Sequence, residues 1–289
     1  MDLTREHQRY EASGGRVLIA GALGRLGARG RVPPHLYARG AVALLATERP
    51  AMAIVGSREP LPWGITQARR VARDLARAGV TVVSGGARGT DRGVHEAALE
   101  AEGCTIAVLG EVASHADERP LWMRSLFDAA PGRALSVTTA APGGGFARWR
   151  FAARNHHIAA AADAVVITEG AAGSGTRHTA AAARSLGVPL WCFFNGDSPV
   201  SAVPVALVES DRAFPLPPEG ALLRLLGRAP PPAPDEPALV AAVRRAGGRL
   251  SVDDAARLLA RSAREVLSEA ALLEMAGQIR REGSCLVCR

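Results

Sequence analysis

From residue 52 onward the chain repeats one unit, in which a short apolar run leads through a glycine-bearing turn into an amphipathic stretch. The runs lie at 52–55, 80–83, 104–109, 164–168 and 188–194 ("MAIV", "VTVV", "CTIAVL", "AVVIT" and "VPLWCFF"). None keeps the strict polar–apolar alternation of a strand with one wet face. The stretches between them have helical periodicity: after the first run, Ile65, Ala68, Val71, Ala72 and Leu75 fall on one helix face. Strands apolar on both faces and alternating with helices specify a parallel sheet covered on both sides, because each parallel pairing needs a crossover helix lying on the sheet. The expected fold class is α/β: an extended Rossmann-like parallel sheet with helices on both faces, plus a small C-terminal winged-helix domain whose signals follow.

The segment "GRAPPPAPDEP", 227–237, ends the repeating pattern. Its prolines fix φ and remove backbone donors, so it reads as a linker. This expectation divides the chain into an N-terminal extension (1–45), a Rossmann-like domain (46–226), the linker and a small C-terminal domain (238–289). In the last, Ser251 with Asp254 and Ser262 with Glu265 have the spacing of capping boxes that start helices. Val266, Leu267, Ala270 and Leu273 follow at core spacing, and the terminal "CLVC" reads as a strand. Three helices and a wing predict a winged helix; a three-helix bundle used for protein contacts is the competing reading. Residues 1–45 read as a shortened helical or irregular region. Their "VLIAGALGRLGARG" places Gly-x-x-Gly-x-x-Gly behind an apolar run, the wrong spacing for a dinucleotide fingerprint.

Composition narrows the class further. The 289 residues are 48% hydrophobic, enough for a substantial core, and 35 Lys+Arg against 28 Asp+Glu leave a net charge of +7. The chain contains no lysine, so every one of those cations is an arginine, a permanently charged fork that matches phosphate. Such a balance suits a polyanionic partner. Cys104, Cys192, Cys285 and Cys288 are too scattered for a disulfide scaffold, and the Cys285/Cys288 pair lacks a second pair for zinc. No apolar run approaches a membrane span or a signal peptide. A cytoplasmic protein without metal, cofactor or membrane contact is expected.

Ligands of open parallel sheets settle beyond the carboxyl ends of the strands. Three glycine-bearing turns fall there: Gly56, Ser57 and Arg58 after the first run; Ser84, Gly85, Arg88 and Gly89 after the second; Gly173, Ser174, Gly175 and Thr176 after the fourth. Small residues let backbone N–H groups face an anion, and each following helix adds its positive N-terminal end. Arg154 and Asn155, just before the fourth run, add a phosphate fork and an amide able to reach a base or sugar. Trp149 and Phe151 are stacking or packing aromatics. Asp91 reads first as a helix cap and Glu169 as a partner for an arginine or an acid/base. His95, His156, His157 and His178 lack the spacing of a metal site or triad. No nucleophile stands beside a base, so the site is read as one that binds, with no catalytic residue.

These motifs together resemble the DNA-processing protein A (DprA/Smf) family. The resemblance runs from "LYARGAVALLATERPAMAIVGSREPLPWG" through "VVSGGARGTDRGVHEAALEAEGCTIAVLG" to "FAARNHHIAAAADAVVITEGAAGSGTRHTAAAARSLGVPLWC", roughly residues 36–195. It implies a single-stranded-DNA-binding protein of uptake and recombination that protects the strand, forms a homodimer through the Rossmann domain and loads the RecA recombinase. It also implies DNA contacts on the residues of the three turns and on Arg154 and Asn155, and phosphate contacts that make affinity fall steeply with salt. The chain departs from the family's pattern at Gly173, where a lysine is usual, so that one phosphate contact is missing or has moved to Arg177, and at His156, where an arginine is usual. Two other classes stay open. One is a nucleotide sensor or relative of the LOG-type phosphoribohydrolases, although Thr179 stands where their catalytic glutamate belongs. The other is a defence-system adaptor in which the pocket is vestigial.

Overall fold

The computed structural model describes residues 3–19, 21–29, 33–46, 48–111, 117–142, 147–193, 199–216, 223, 237–275 and 278–288. The chain falls into two compact units, Met1–Leu226 and Gly227–Arg289. The linker residues 227–236 lie outside the described residues, as does Phe194 of the fifth apolar run.

In chain order the first unit comprises α1 (Leu3–Ala12), β1 (Arg16–Ile19), α2 (Arg25–Ala28), β2 (His35–Gly40), β3 (Ala51–Val55), α3 (Pro62–Arg77), β4 (Thr81–Ser84), α4 (Thr90–Glu100), β5 (Thr105–Leu109), α5 (Leu121–Asp128), β6 (Ala134–Thr138), α6 (Arg148–Ala160), β7 (Ala164–Ile167), α7 (Thr176–Ser185), β8 (Leu190–Cys192), α8 (Ala202–Glu209) and β9 (Phe214–Pro215). One sheet runs in the order β1-β2-β6-β5-β4-β3-β7-β8-β9. From β6 to β9 every pairing is parallel, as the apolar runs require. The two faces are buried by different helices. Ala51, Ala53 and Val55 of β3 join a core with Ile158 and Ala159 of α6 and Ala180 and Ala183 of α7. Met52 and Ile54 of the same strand point the other way, onto Ala68, Ala72 and Leu75 of α3 and Val94 and Ala97 of α4.

Residues 1–45 depart from the expected helical region. Besides α1 and α2 they supply β1 and β2, which continue the sheet antiparallel beyond β6. β6 itself was not expected. The misses at β2 and β6 share one cause: polar and charged side chains inside these strands are buried against tertiary partners invisible in local sequence. Arg39 of β2 donates Nε to Glu118 Oε2 at 2.9 Å, and Tyr10 of α1 donates its hydroxyl to Glu118 Oε1 at 2.6 Å. Ser136 and Thr138 interrupt the apolar character of β6 yet are fully buried, and Thr138 donates to the Glu111 carbonyl at 2.7 Å.

The second unit comprises α9 (Ala238–Arg245), β10 (Arg249–Ser251), α10 (Val252–Leu259), α11 (Ala263–Met275), β11 (Ile279–Glu282) and β12 (Cys285–Cys288), with an antiparallel sheet in the order β10-β12-β11. Both capping boxes form. Ser251 Oγ accepts from the Asp254 N–H at 3.0 Å, and Glu265 Oε2 accepts from the Ser262 N–H at 2.8 Å. Val266, Ala270 and Leu273 face the core with Leu239 and Leu286, whereas Leu267, expected there, is 41% exposed. It sits one residue off the buried stripe, about 100° round the helix.

Candidate anion-binding site

The strand order changes direction at β3, with β4 on one side and β7 on the other. In the β3–β7 register Val55 lies opposite Ile167, so the turns leaving both strands start level. A crevice opens at such a switch point. It holds a cavity of about 600 Å³ lined by Gly56, Ser57, Arg58 and Glu59 of the first turn, Arg88 of the second and Asp91 of α4. Phe151, Arg154 and Asn155 of α6 and Ser174, Gly175 and Thr176 of the third turn line it too.

The remaining expected contacts stand elsewhere. Ser84 is fully buried, and its hydroxyl is spent on the Ile54 carbonyl at 2.6 Å. Gly85 lies behind the cavity wall, where an ideal Cβ would fall 1.6 Å from Arg154 Nη1. Gly89 has φ +78 and would bring a Cβ within 2.5 Å of the Arg58 carbonyl oxygen. Its role is to let the first two turns touch, and the Thr90 N–H donates to the Ser57 carbonyl at 3.0 Å beside it. Gly173 is exposed outside the cavity lining, and Arg177 points its guanidinium at the Ala172 carbonyl, at 3.0 Å, instead of into the cavity.

Arg154 is 8% exposed and incompletely compensated. Its Nη1 donates to the Val108 carbonyl at 3.2 Å and stands 3.7 Å from Asp91 Oδ2, while its buried Nε has no partner among the described residues. Burial lowers the Arg154 pKa, which Asp91 and Glu111 oppose, and burial raises the Asp91 pKa against the pull of Arg154. The desolvation penalty outweighs this loose pairing, yet a guanidinium stays protonated, so a further anion at Arg154 recovers lost solvation. α4 and α7 begin at Gly89 and Gly175 without a side-chain cap; the first N–H of α4, from Thr90, is taken by the Ser57 carbonyl, and the positive end of α7 faces the crevice. Asn155 Nδ2 donates to the Gly175 carbonyl at 3.2 Å, tying α6 to the third turn.

Several side chains take roles other than those read from sequence. Asp91 is not the cap of α4: Gly89 holds that position, and the Asp91 carboxylate accepts from the Ala87 N–H at 3.3 Å and faces Arg154. Glu169 is fully buried and accepts from the Leu61 N–H at 3.2 Å, anchoring the start of α3. Phe151 lines the cavity, while Trp149 is 67% exposed and does not. His178 lines the cavity as well, on its exposed side.

His95, for which the sequence suggests only a structural or surface role, takes the structural one. It is fully buried; Nε2 lies 2.8 Å from the Gly85 carbonyl and Nδ1 2.6 Å from Thr105 Oγ1. With Nε2 protonated it donates to Gly85 and pins the turn that packs on Arg154; the Thr105 hydroxyl beside Nδ1 is also 2.8 Å from the Val82 carbonyl. Burial lowers its pKa from 6.5 to about 4. The native state keeps His95 neutral while the unfolded chain protonates it, so its contribution is complete above pH 6.5 and is lost as pH falls towards 4. The expected loss is roughly 3 kcal/mol from this residue. Urea unfolding at pH 7 and pH 4 should show a smaller acid loss for His95→Gln than for the parent; equal losses would contradict a buried neutral imidazole.

The family model for DNA recombination-mediator protein A matches residues 23–211. A Mycobacterium tuberculosis protein with the provisional name DNA processing protein DprA is 38% identical over 175 residues, covering 59% of this chain and 44% of that protein. The DNA processing protein DprA of Bacillus subtilis is 30% identical over 148 residues, 51% of this chain and 49% of the relative. The matched region thus spans about half the length of these relatives. Among solved structures, DNA processing protein A of Helicobacter pylori, described for its single-stranded DNA binding mode, superposes with a TM-score of 0.59 at 26% identity, over 70% of this chain and 90% of that one. The Streptococcus pneumoniae protein gives a TM-score of 0.64 at 25% identity, over 74% and 73%. Among the described residues no helix is long and apolar enough to cross a membrane, and no cluster of metal-ligating side chains occurs.

Proposed function

The chain belongs to the DNA recombination-mediator protein A family, and on that footing we propose that its crevice binds the phosphate backbone of single-stranded DNA. The observation that carries this reading is Arg154, a buried and under-compensated cation at the base of a cavity that also holds Arg58, Arg88 and the positive end of α7. Gly56, Ser57, Arg58, Arg88, Arg154, Asn155, Ser174, Gly175 and Thr176 form the contact surface. Gly85, Gly89 and Ser84 shape it from behind. Phosphate contacts position a strand without reading its sequence, and Phe151 offers a face on which a base stacks. Protection of the strand, delivery to RecA and dimerisation through the first unit extend this reading.

The second unit is read as a winged helix on its order of helix, strand, helix, helix, strand, strand. Its α11 carries Glu265, Glu269 and Glu274 beside Arg264, with Glu269 and Glu274 paired to Arg261 and Arg281, and strand binding is assigned to the first unit on Arg154. Titration of labelled oligo-dT into the full chain, beside a duplex of equal length and a mononucleotide competitor, tests the proposal. Preference for the single strand with weak competition supports it. Displacement by the mononucleotide at comparable concentration would instead identify a nucleotide sensor.

A further inference from the structure

Three arginines line the cavity, but they are not equally available. Arg88 forms an ion pair with Glu59, and Arg154 faces Asp91. Among the described residues no carboxylate contacts Arg58. Glu59 and Arg88 arise from different turns, behind β3 and β4, and both line the cavity with side chains 79% and 70% exposed. Their contact therefore places a carboxylate where a phosphate would engage Arg88.

We propose that Glu59 is an internal competitor for the phosphate position at Arg88, setting both the affinity and the salt response of the site. This rests on the strand-binding reading above. A phosphate reaching Arg88 displaces the Glu59 carboxylate, which remains tethered to the protein. Salt dependence comes from counterions released to solution. While Glu59 holds Arg88, the phosphate opposite it is not neutralised and keeps its own counterions, so Arg88 adds little affinity and little salt slope. The response expected from three free arginines becomes shallower by the one contact for which Glu59 competes. An ion pair this exposed is weak and exchangeable, so Glu59 tunes the site without closing it.

The test uses the full chain and labelled oligo-dT across a salt series, with Glu59→Gln and, as a control for net charge, Glu209→Gln, an exposed acid at the end of α8 outside the cavity lining. Glu59→Gln is expected to bind up to about fivefold more tightly at low salt. Its slope of log affinity against log salt should steepen by about 0.7. Addition of Arg88→Ala to Glu59→Gln should abolish both gains. The proposal is overturned if Glu59→Gln matches the parent, if Glu209→Gln gives the same gains, or if the gains survive the loss of Arg88. Failure of the parent and every variant to bind oligo-dT would overturn the strand-binding reading, and this proposal with it.

Discussion

Gly85→Ala is expected to weaken strand binding roughly 10- to 100-fold, the worth of one charge-assisted hydrogen-bonding contact. Gly85 touches no ligand in this account. Its missing side chain leaves room for the Arg154 guanidinium: an added Cβ would lie 1.6 Å from Nη1 and 2.4 Å from Asp91 Oδ2, so the fork and its carboxylate must both move. The backbone conformation there does not demand glycine, and the β4 ladder ends at Ser84, so the sheet itself is left intact. Gly173→Ala is the matched control, because a Cβ at that exposed position meets nothing within 4 Å. Oligo-dT titration of both variants should separate them by at least tenfold, with circular dichroism unchanged. Equal affinities would show that Arg154 is not where the strand is held.

Glu118→Ala is expected to cost the first unit about 3–5 kcal/mol, the usual penalty for breaking a buried pair from one side. The Glu118 side chain is 0% exposed and receives two donors, the Tyr10 hydroxyl and Arg39 Nε. Burial and the Glu118 carboxylate both push the Tyr10 pKa upward, so its hydroxyl stays a donor at any working pH. Removal of the carboxylate leaves that phenol and a 6%-exposed guanidinium without their shared acceptor. It also removes the hydrogen bonds that tie α1 and β2 to the segment before α5, leaving His7 and Tyr10 on Tyr37 to join α1 and β2. Thermal unfolding should show a large fall in midpoint for Glu118→Ala and, by contrast, a change of less than about 1 kcal/mol for loss of the exposed Glu59–Arg88 pair. A midpoint unchanged in Glu118→Ala would mean that the N-terminal strands hold without this network.

The parallel core was legible because β3, β4, β5 and β7 are buried on both faces and read as uninterrupted apolar runs, with glycine turns marking their carboxyl ends. β2 and β6 were not, since Arg39, Ser136 and Thr138 read as surface residues until Glu118 and the Glu111 carbonyl are brought to them by the fold. The same limit applies at the site. The three turns and Arg154 could be placed on one rim from connectivity alone. That Asp91 faces Arg154 and not its own helix end, that His95 holds the Gly85 carbonyl and that Glu59 occupies Arg88 depend on distances across 10 to 63 residues of chain. Charge counting from sequence therefore overstated the free cations of the crevice, two of the three being met by carboxylates.

The crevice arginines are read as the grip on a DNA strand. Oligo-dT titration of the Arg58→Ala, Arg88→Ala, Arg154→Ala triple variant at low salt measures this, with unfolding curves confirming that the variant is folded. The expected result is binding by the parent and its loss in the triple variant. Undiminished binding by the folded triple variant would contradict it and would move the strand off this crevice.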